Sequence, residues 1–216
     1  MADTPETRNL RVDYDRDVLH RSDLDDDPLV QFGAWLHDAI EIGEPEPNAF
    51  ALATVTPEGL PNVRVVLLKG FDQRGLRFFT NYESNKGRDL EQTPRAAGTF
   101  WWPTLQRQVR VSGGVTRVER DESETYFHSR PRASQLGAVA SPQSRVLPDR
   151  ETLETALRTA TERFEDRQVD MPQSWGGYRI GLERLELWQG RRSRLHDRFV
   201  YSRVDDGSWR RERLAP

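Results

Sequence analysis

Three sets of side chains in this 216-residue sequence have the charge and spacing to hold an anion. Arg64 and Lys69 bracket the apolar run Val65-Val66-Leu67-Leu68. Five residues apart on a regular strand, they face opposite ways and would serve two different anions unless a bulge or bend intervenes. Tyr126, Arg130 and Ser134 are spaced four apart across a helix end and the turn after it. A guanidinium with two hydroxyls makes a side-chain phosphate cradle, the arginine being the bidentate partner. The same spacing also suits an exposed helix face closed by Pro131. Near the C-terminus, Arg194, His196 and Arg198 alternate, and in an extended chain they share one face. Three potentially cationic groups on one face repel unless something anionic or π-rich lies against them. The alternative is a solvated edge paired with Glu183, Glu186 or Asp197.

Other chemistries find less support. There is no cysteine, which removes disulfides, thiolate nucleophiles and cysteine-based zinc sites and fits a reducing cytoplasm. His20, His37, His128 and His196 lie far apart, none in a zinc-ligand spacing, so no metal site is expected. A formal net charge of −3 lacks the long-range positive field of a general nucleic-acid binder. No glycine-rich dinucleotide fingerprint follows a strand and no phosphate-loop motif occurs, so a bound phosphate has to be gripped by side chains. Of 32 basic residues only Lys69 and Lys86 are lysine, either survivors of an arginine-favouring codon bias or residues kept for a purpose. No apolar run approaches the roughly 18 residues of a membrane span, and residues 1–27 are polar and acidic with no signal-like core. A cytoplasmic protein, not exported by this route and without membrane contact, is the expectation.

The elements that must position these residues follow from pattern. Asp27-Pro28 starts a helix whose apolar stripe is Leu29, Phe32, Leu36 and Ile40, and Glu44-Pro45-Glu46-Pro47 ends it. Residues 50–56, 62–70 and 76–80 form a meander, with Val63, Val65, Val66 and Leu67 reading as a buried strand. Ser84 caps a short helix carrying Lys86 and Arg88, and residues 96–102 and 106–118 read as an antiparallel pair. Asp121-Glu122-Ser123-Glu124 has capping-box character before a helix through His128, and a second helix covers residues 134–140. The longest helix spans 149–166, with Leu153, Leu157, Ala160 and Phe164 in phase. Gly176-Gly177 breaks the chain before a strand over 178–188, and residues 198–203 pair with 209–213 through Asp206-Gly207. Short-turn strands with grouped helices predict a mainly β antiparallel barrel with helical insertions, not a doubly wound sheet. Residues 28–216 read as one domain behind a flexible arm, 1–27.

Several segments together resemble the pyridoxamine/pyridoxine 5′-phosphate oxidase family. They are Leu185-Glu186-Leu187-Trp188-Gln189 through Arg194-Leu195-His196-Asp197-Arg198, the run from Arg64 to Lys69, Phe79-Thr80-Asn81, Arg107-Gln108-Val109, Tyr126 to Pro131, Ser134-Gln135, Gln143-Ser144, Trp175-Gly176-Gly177 and Arg213-Leu214-Ala215-Pro216. The match covers residue 27 to the end, with the motifs in order. The resemblance implies an FMN-binding split β-barrel with peripheral helices, acting as a homodimer with its sites at the subunit interface. It assigns FMN to Arg64, Val65, Val66, Leu67, Leu68, Lys69, Phe79, Thr80, Lys86, Gln108, Gln143, Ser144, Trp188 and Arg198. Lys69, Tyr126, Arg130 and Ser134 would hold the substrate phosphate, and Arg194, Leu195 and His196 would meet its ring. Arg194 and His196 are the catalytic pair by this carry-over. Arg11 and Tyr14 keep the ends of an arm pattern that covers the substrate in relatives.

The implied reaction is oxidation of pyridoxamine 5′-phosphate or pyridoxine 5′-phosphate by dioxygen to pyridoxal 5′-phosphate, with release of hydrogen peroxide and, from the amine, ammonia. Three departures from the family pattern stand out. Leu187 replaces an aromatic or histidine, Asn85 replaces an arginine beside Lys86, and Val12-Asp13 breaks the arm's basic middle. Two rival readings are a flavin oxidase of phenazine biosynthesis, which shares the Arg-Leu-His tail but needs no substrate-phosphate set, and a flavin or pyridoxal-phosphate carrier without turnover.

Overall fold

The structure is a computed structural model that describes residue 10 and residues 12–216; Arg11 lies outside the described residues. The elements are α1 (Pro28–Glu41), β1 (Ala49–Val55), β2 (Pro61–Leu67), β3 (Gly70–Asp72), β4 (Gly75–Asn81), α2 (Asn85–Gln92), β5 (Arg95–Trp102) and β6 (Arg107–Arg117). There follow α3 (Arg120–Ser129), α4 (Arg132–Ala140), α5 (Arg150–Arg163), β7 (Trp175–Ile180), β8 (Arg184–Gln189), β9 (Asp197–Arg203) and β10 (Trp209–Leu214). They form two compact units. The first takes the described residues up to Pro47, Phe100–Arg110 and Arg184–Pro216; the second takes Asn48–Thr99 and Val111–Glu183.

In the first unit β10, β9, β8 and β6 are hydrogen-bonded neighbours in that order, with β10–β9 and β8–β9 antiparallel. Asp27 caps α1 by accepting from the Leu29 N–H at 2.8 Å, and Pro28 opens the helix. The buried face of α1 is Leu29, Phe32, Trp35 and Ala39, whereas Ile40 is 53% exposed. The expected stripe therefore turns toward Trp35, the largest apolar side chain of the helix, which rotates Ile40 outward. Phe32 packs on Phe100 with ring centroids 5.2 Å apart, and the Trp102 indole N–H donates to the Pro47 carbonyl at 2.9 Å. Residues 12–27 make defined contacts: Leu19 and Leu24 are buried, and the Leu19 N–H donates to Asp197 at 3.2 Å.

In the second unit β6, β5, β1 and β2 are successive neighbours, and β7 lies between β4 and β6. The pairs β1–β2, β1–β5, β3–β4, β4–β7 and β6–β7 are antiparallel. Phe50, Leu52, Phe78, Val111, Tyr178 and Ile180 form the core of these strands. A second apolar cluster, Phe127, Leu136, Ala160, Phe164, Val169, Met171 and Trp175, sits with α3, α4 and α5.

Three expectations need correcting here. The strand expected over 62–70 ends at Leu67 and is not buried: Val63 and Val65 are each 67% exposed, because β2 ends the strand order and has only β1 beside it. The strand expected over 178–188 is two strands, β7 and β8, and Gly176-Gly177 lies inside β7 instead of preceding it. Those glycines make room, since a Cβ on Gly176 would run into the Tyr82 hydroxyl and one on Gly177 would press on Phe79 and Val118. The capping box expected at Asp121 falls within α3, whose N-cap is Glu119 with no side-chain cap.

Candidate active site

A cavity of about 1010 Å3 opens in the second unit, lined wholly by residues of that unit. The end of β2 explains how the two outlying cations share it. β2 stops at Leu67, Leu68 turns inward to 5% exposure with its N–H donating to Asn48, and β3 starts only at Gly70. This break resets the side-to-side alternation, so Arg64 and Lys69 both line the cavity instead of facing opposite ways. Val65, Val66 and Leu67 line it too, and Leu68 does not.

One end is a desolvated cation pair. The Arg64 guanidinium donates to the Leu52 carbonyl at 3.1 Å and the Thr54 hydroxyl at 2.8 Å, and lies 3.7 Å from Asp89. Burial pulls its pKa down, and Asp89 opposes that. Lys86, 8% exposed, donates to Thr80, Ser84 and Gln143 at 3.1–3.2 Å. Burial first, then the Arg64 charge, lowers the Lys86 ammonium to about 8. Its position is set by α2, which Ser84 caps by accepting from the Gly87 N–H. Gln143 also accepts from the Thr80 hydroxyl at 3.0 Å, and Ser144 beside it has a left-handed φ of 70°. Two cations with one carboxylate between them leave positive charge for a dianion.

The other end is backed by aromatic rings. Phe79 stacks on Tyr126 at 4.1 Å and on Trp175 at 5.5 Å, in planes 24° and 10° from parallel. The Arg130 guanidinium carbon sits 4.9 Å from the Trp175 ring centre. Burial lowers its pKa and Tyr126 opposes that, while burial raises the Tyr126 phenol. Arg130 and Pro131 lead into α4, whose N-terminus has no side-chain cap and carries Ser134 in its first turn. An uncapped helix start beside a guanidinium and a hydroxyl favours an anion.

The remaining expected residues belong to the first unit and are not among those lining the cavity. Gln108 is on β6, and Trp188 and Arg198 are register partners on β8 and β9. Arg194 and His196 do not alternate along an extended strand. A 3-10 turn at Arg192–Arg194 intervenes, with Ser193 and Arg194 at left-handed φ of 56° and 61°. Two such residues in succession are costly and occur where the fold enforces a particular presentation. Leu195 follows, 69% exposed. His196 packs on Trp188 at 4.4 Å, and Tyr14 meets both rings edge-on. The Arg191 N–H donates to His196 Nδ1 at 3.1 Å, so a neutral ring carries its proton on Nε2. Burial, then Arg194 and Arg198, holds the His196 pKa below its ordinary value. Arg198 is held by Glu186, 3% exposed, at 2.7 and 3.0 Å, and by the Ala215 carbonyl at 2.9 Å.

Sequence reasoning gave no role to Asn62, Trp175 or Asp89, although the first two line the cavity and the third anchors Arg64. Trp175 stood in a quoted motif, but its contact with Arg130 crosses 45 residues of chain and has no local signature. Among the described residues no cluster of three or more histidine, cysteine or acidic side chains is arranged for a metal ion, and no helix is long and apolar enough to cross a membrane.

Antiparallel strands with helices around them carry a side-chain cavity lined by Arg64, Lys69, Lys86 and Arg130, which defines a β-rich protein with a cationic cavity and no nucleotide-binding loop. Comparison with known proteins carries this further. Residues 36–164 match the family model for pyridoxamine 5′-phosphate oxidase, and residues 175–216 match that for the pyridoxine 5′-phosphate oxidase C-terminal dimerisation region. The chain is 51% identical to the pyridoxine/pyridoxamine 5′-phosphate oxidase of Pseudomonas fluorescens, covering 96% of this chain and 97% of that one. It is 52% identical to the protein of that name from Rubrobacter xylanophilus, covering 96% and 95%. Among solved structures, PhzG from Burkholderia lata, in complex with tetrahydrophenazine-1-carboxylic acid, aligns with a TM-score of 0.87 at 31% identity over 93% of this chain and 98% of that one. The chain belongs to the pyridoxamine 5′-phosphate oxidase family, and its fold is that family's antiparallel split β-barrel with peripheral helices.

Proposed function

We propose that the protein is an FMN-dependent oxidase that converts pyridoxamine 5′-phosphate and pyridoxine 5′-phosphate to pyridoxal 5′-phosphate with dioxygen, releasing hydrogen peroxide and, from the amine, ammonia. The observation that carries this reading is one cavity lined by Arg64, Lys86, Lys69, Tyr126, Arg130 and Ser134, which we read as two anion grips, Arg64 with Lys86 and Lys69 with Tyr126, Arg130 and Ser134. A phosphorylated cofactor beside a phosphorylated substrate needs two. The residues present fit FMN: Arg64 and Lys86 carry more positive charge than Asp89 cancels, and Thr80, Gln143 and Ser144 add polar groups beside them. The cavity is also at the upper end of the ~300–1,000 Å3 range of small-molecule sites. Asn85 adds no charge there, so Lys86 and Arg64 carry the phosphate between them.

When bound, FMN supplies the hydride acceptor and the route for electrons to dioxygen. The chain supplies position. Lys69, Arg130, Tyr126 and Ser134 clamp the substrate phosphate away from the reacting carbon, which turns remote binding energy into alignment. Arg194 and His196 would orient the pyridine ring, His196 as a neutral Nε2–H donor, and Gln108, Trp188 and Arg198 would hold the flavin ring. In this reading they come from a second copy, in keeping with the matched dimerisation region and with a cavity that none of them lines. Residues 1–27 act as an arm that brings Tyr14 over the substrate, and residues 28–216 form the oxidase body.

The likeness to PhzG favours a second reading, a flavin oxidase for an unphosphorylated tricyclic substrate. The grip of Lys69, Tyr126, Arg130 and Ser134 would then have no ligand. The test is to incubate the purified protein with FMN and, in separate reactions, pyridoxamine 5′-phosphate or pyridoxine 5′-phosphate in air, following pyridoxal 5′-phosphate and peroxide, with Lys69→Ala and Arg194→Ala alongside. Turnover that falls in both variants supports the oxidase. FMN binding with no turnover of either vitamer moves the assignment to the phenazine-type oxidase or to a carrier.

A further inference from the structure

Arg130 has to present a rigid guanidinium to an anion, yet hydrogen bonds do little to fix it. Its Nη1 is buried without a hydrogen-bond partner, and no described carboxylate pairs with it. What lies against it is aromatic: the Trp175 ring centre at 4.9 Å and the Phe127 ring centre at 5.7 Å. Trp175 is itself immobilised. It is 6% exposed, in register with Asn81 across β4 and β7, stacked on Phe79 and set against Phe127 at 5.1 Å. Its backbone is pinned as well, the N–H donating to Pro172 at 3.0 Å and the carbonyl accepting from Arg120 at 3.1 Å.

We propose that Trp175 is the positioning residue of the substrate-phosphate grip: its indole face holds the Arg130 guanidinium in place of a carboxylate. The choice of anchor matters. A carboxylate would fix the guanidinium equally well but neutralise it, leaving little charge for a phosphate. The ring quadrupole attracts the cation, offsets part of the cost of the unpaired Nη1 and leaves the full positive charge available to the ligand. Trp175 thereby sets how strongly the site prefers a phosphorylated ligand over the same ring without phosphate. This inference rests on the reading of the cavity as a phosphorylated-vitamer site.

The experiment compares Trp175→Phe, Trp175→Leu, Arg130→Ala and the double variant Trp175→Leu/Arg130→Ala as FMN-loaded proteins. The affinity ratio of pyridoxal 5′-phosphate to pyridoxal is measured by calorimetric titration, and kcat and KM are measured for pyridoxamine 5′-phosphate. Trp175→Leu is expected to lower the ratio about tenfold and to raise KM more than it lowers kcat, while Trp175→Phe retains most of the ratio. In the Arg130→Ala background, Trp175→Leu should change the ratio no further. A purely structural role would weaken both ligands alike, or lower the melting temperature with the ratio intact, and either result overturns the proposal. If Arg130→Ala collapses the ratio and Trp175→Leu does not, the inference about Trp175 fails alone. If Arg130→Ala leaves the ratio unchanged, the phosphate-site reading fails and takes the inference with it.

Discussion

Lys86 is a side chain whose charge depends strongly on its surroundings. Its ammonium is held at about 8 by burial and by Arg64, against the partial opposition of Asp89. The consequences for stability and for binding run in opposite directions. Below about pH 8 the free protein keeps a buried, incompletely neutralised cation. Between about 8 and the ordinary lysine value the folded chain has lost that proton while the unfolded chain still holds it, so stability rises with pH. Anion binding needs the proton, so the Kd for FMN should rise about tenfold per pH unit above about pH 8. Titration of the FMN-free protein by quenching of flavin fluorescence, repeated across that range, checks this. Lys86→Gln should bind more weakly at neutral pH and lose the slope; an unchanged slope would assign the proton to another group. Lys86 was legible in the sequence, as one of only two lysines and by its place in the family pattern. Its depressed pKa was not, because that comes first from burial and then from Arg64, brought beside it from β2, with Asp89 of α2 pulling the other way.

Elements place these charges, and α2 does so through a glycine. Gly87 follows Lys86 in the helix, and a Cβ added there would overlap the Tyr82 carbonyl. Helix propensity alone says that Gly87→Ala should stabilise by up to about 1 kcal/mol. Overlap with backbone typically costs about 1–3 kcal/mol, and Tyr82 is poorly placed to yield, its N–H being bonded to the Ser174 carbonyl at 2.6 Å. Gly87→Ala should therefore lower the melting temperature and weaken FMN binding, because α2 has to shift and carries Lys86 with it. Higher stability with unchanged affinity would show that the helix absorbs the methyl group. Local signals located this helix and its Ser84 cap correctly, as they did the Asp27-Pro28 start of α1. They misjudged β2 and β7 for one physical reason. Val63 and Val65 alternate as a buried strand would, but burial depends on what lies beside the strand, and β2 has only β1. Gly176-Gly177 has the composition of a turn, but it is there for the close approach of Tyr82 and Phe79 across the sheet.

At the scale of the whole molecule the expected functional residues fall into two sets. Arg64, Lys69, Lys86, Tyr126, Arg130 and Ser134 line the cavity, while Gln108, Trp188, Arg194, His196 and Arg198 do not. The exposed Val63 and Val65 on β2 flank Arg64, so an apolar strip adjoins the cavity, as an interface with another copy would require. A closed symmetric dimer gives each patch the same partner patch, so two copies would make two equivalent sites, each using one set from either chain. Complementation tests this arrangement. Arg130→Ala and Arg194→Ala, each nearly inactive alone, are unfolded together and refolded. If the sets come from different copies, each mixed dimer has one site with both substitutions and one with neither. Random pairing should then recover about a quarter of the unsubstituted activity. If Arg130 and Arg194 serve the same site from the same copy, every site in every dimer carries one defect and mixing recovers nothing. Recovery that grows with the fraction of mixed dimers, separated by a charge tag on one variant, would fix the catalytic unit as the pair of chains.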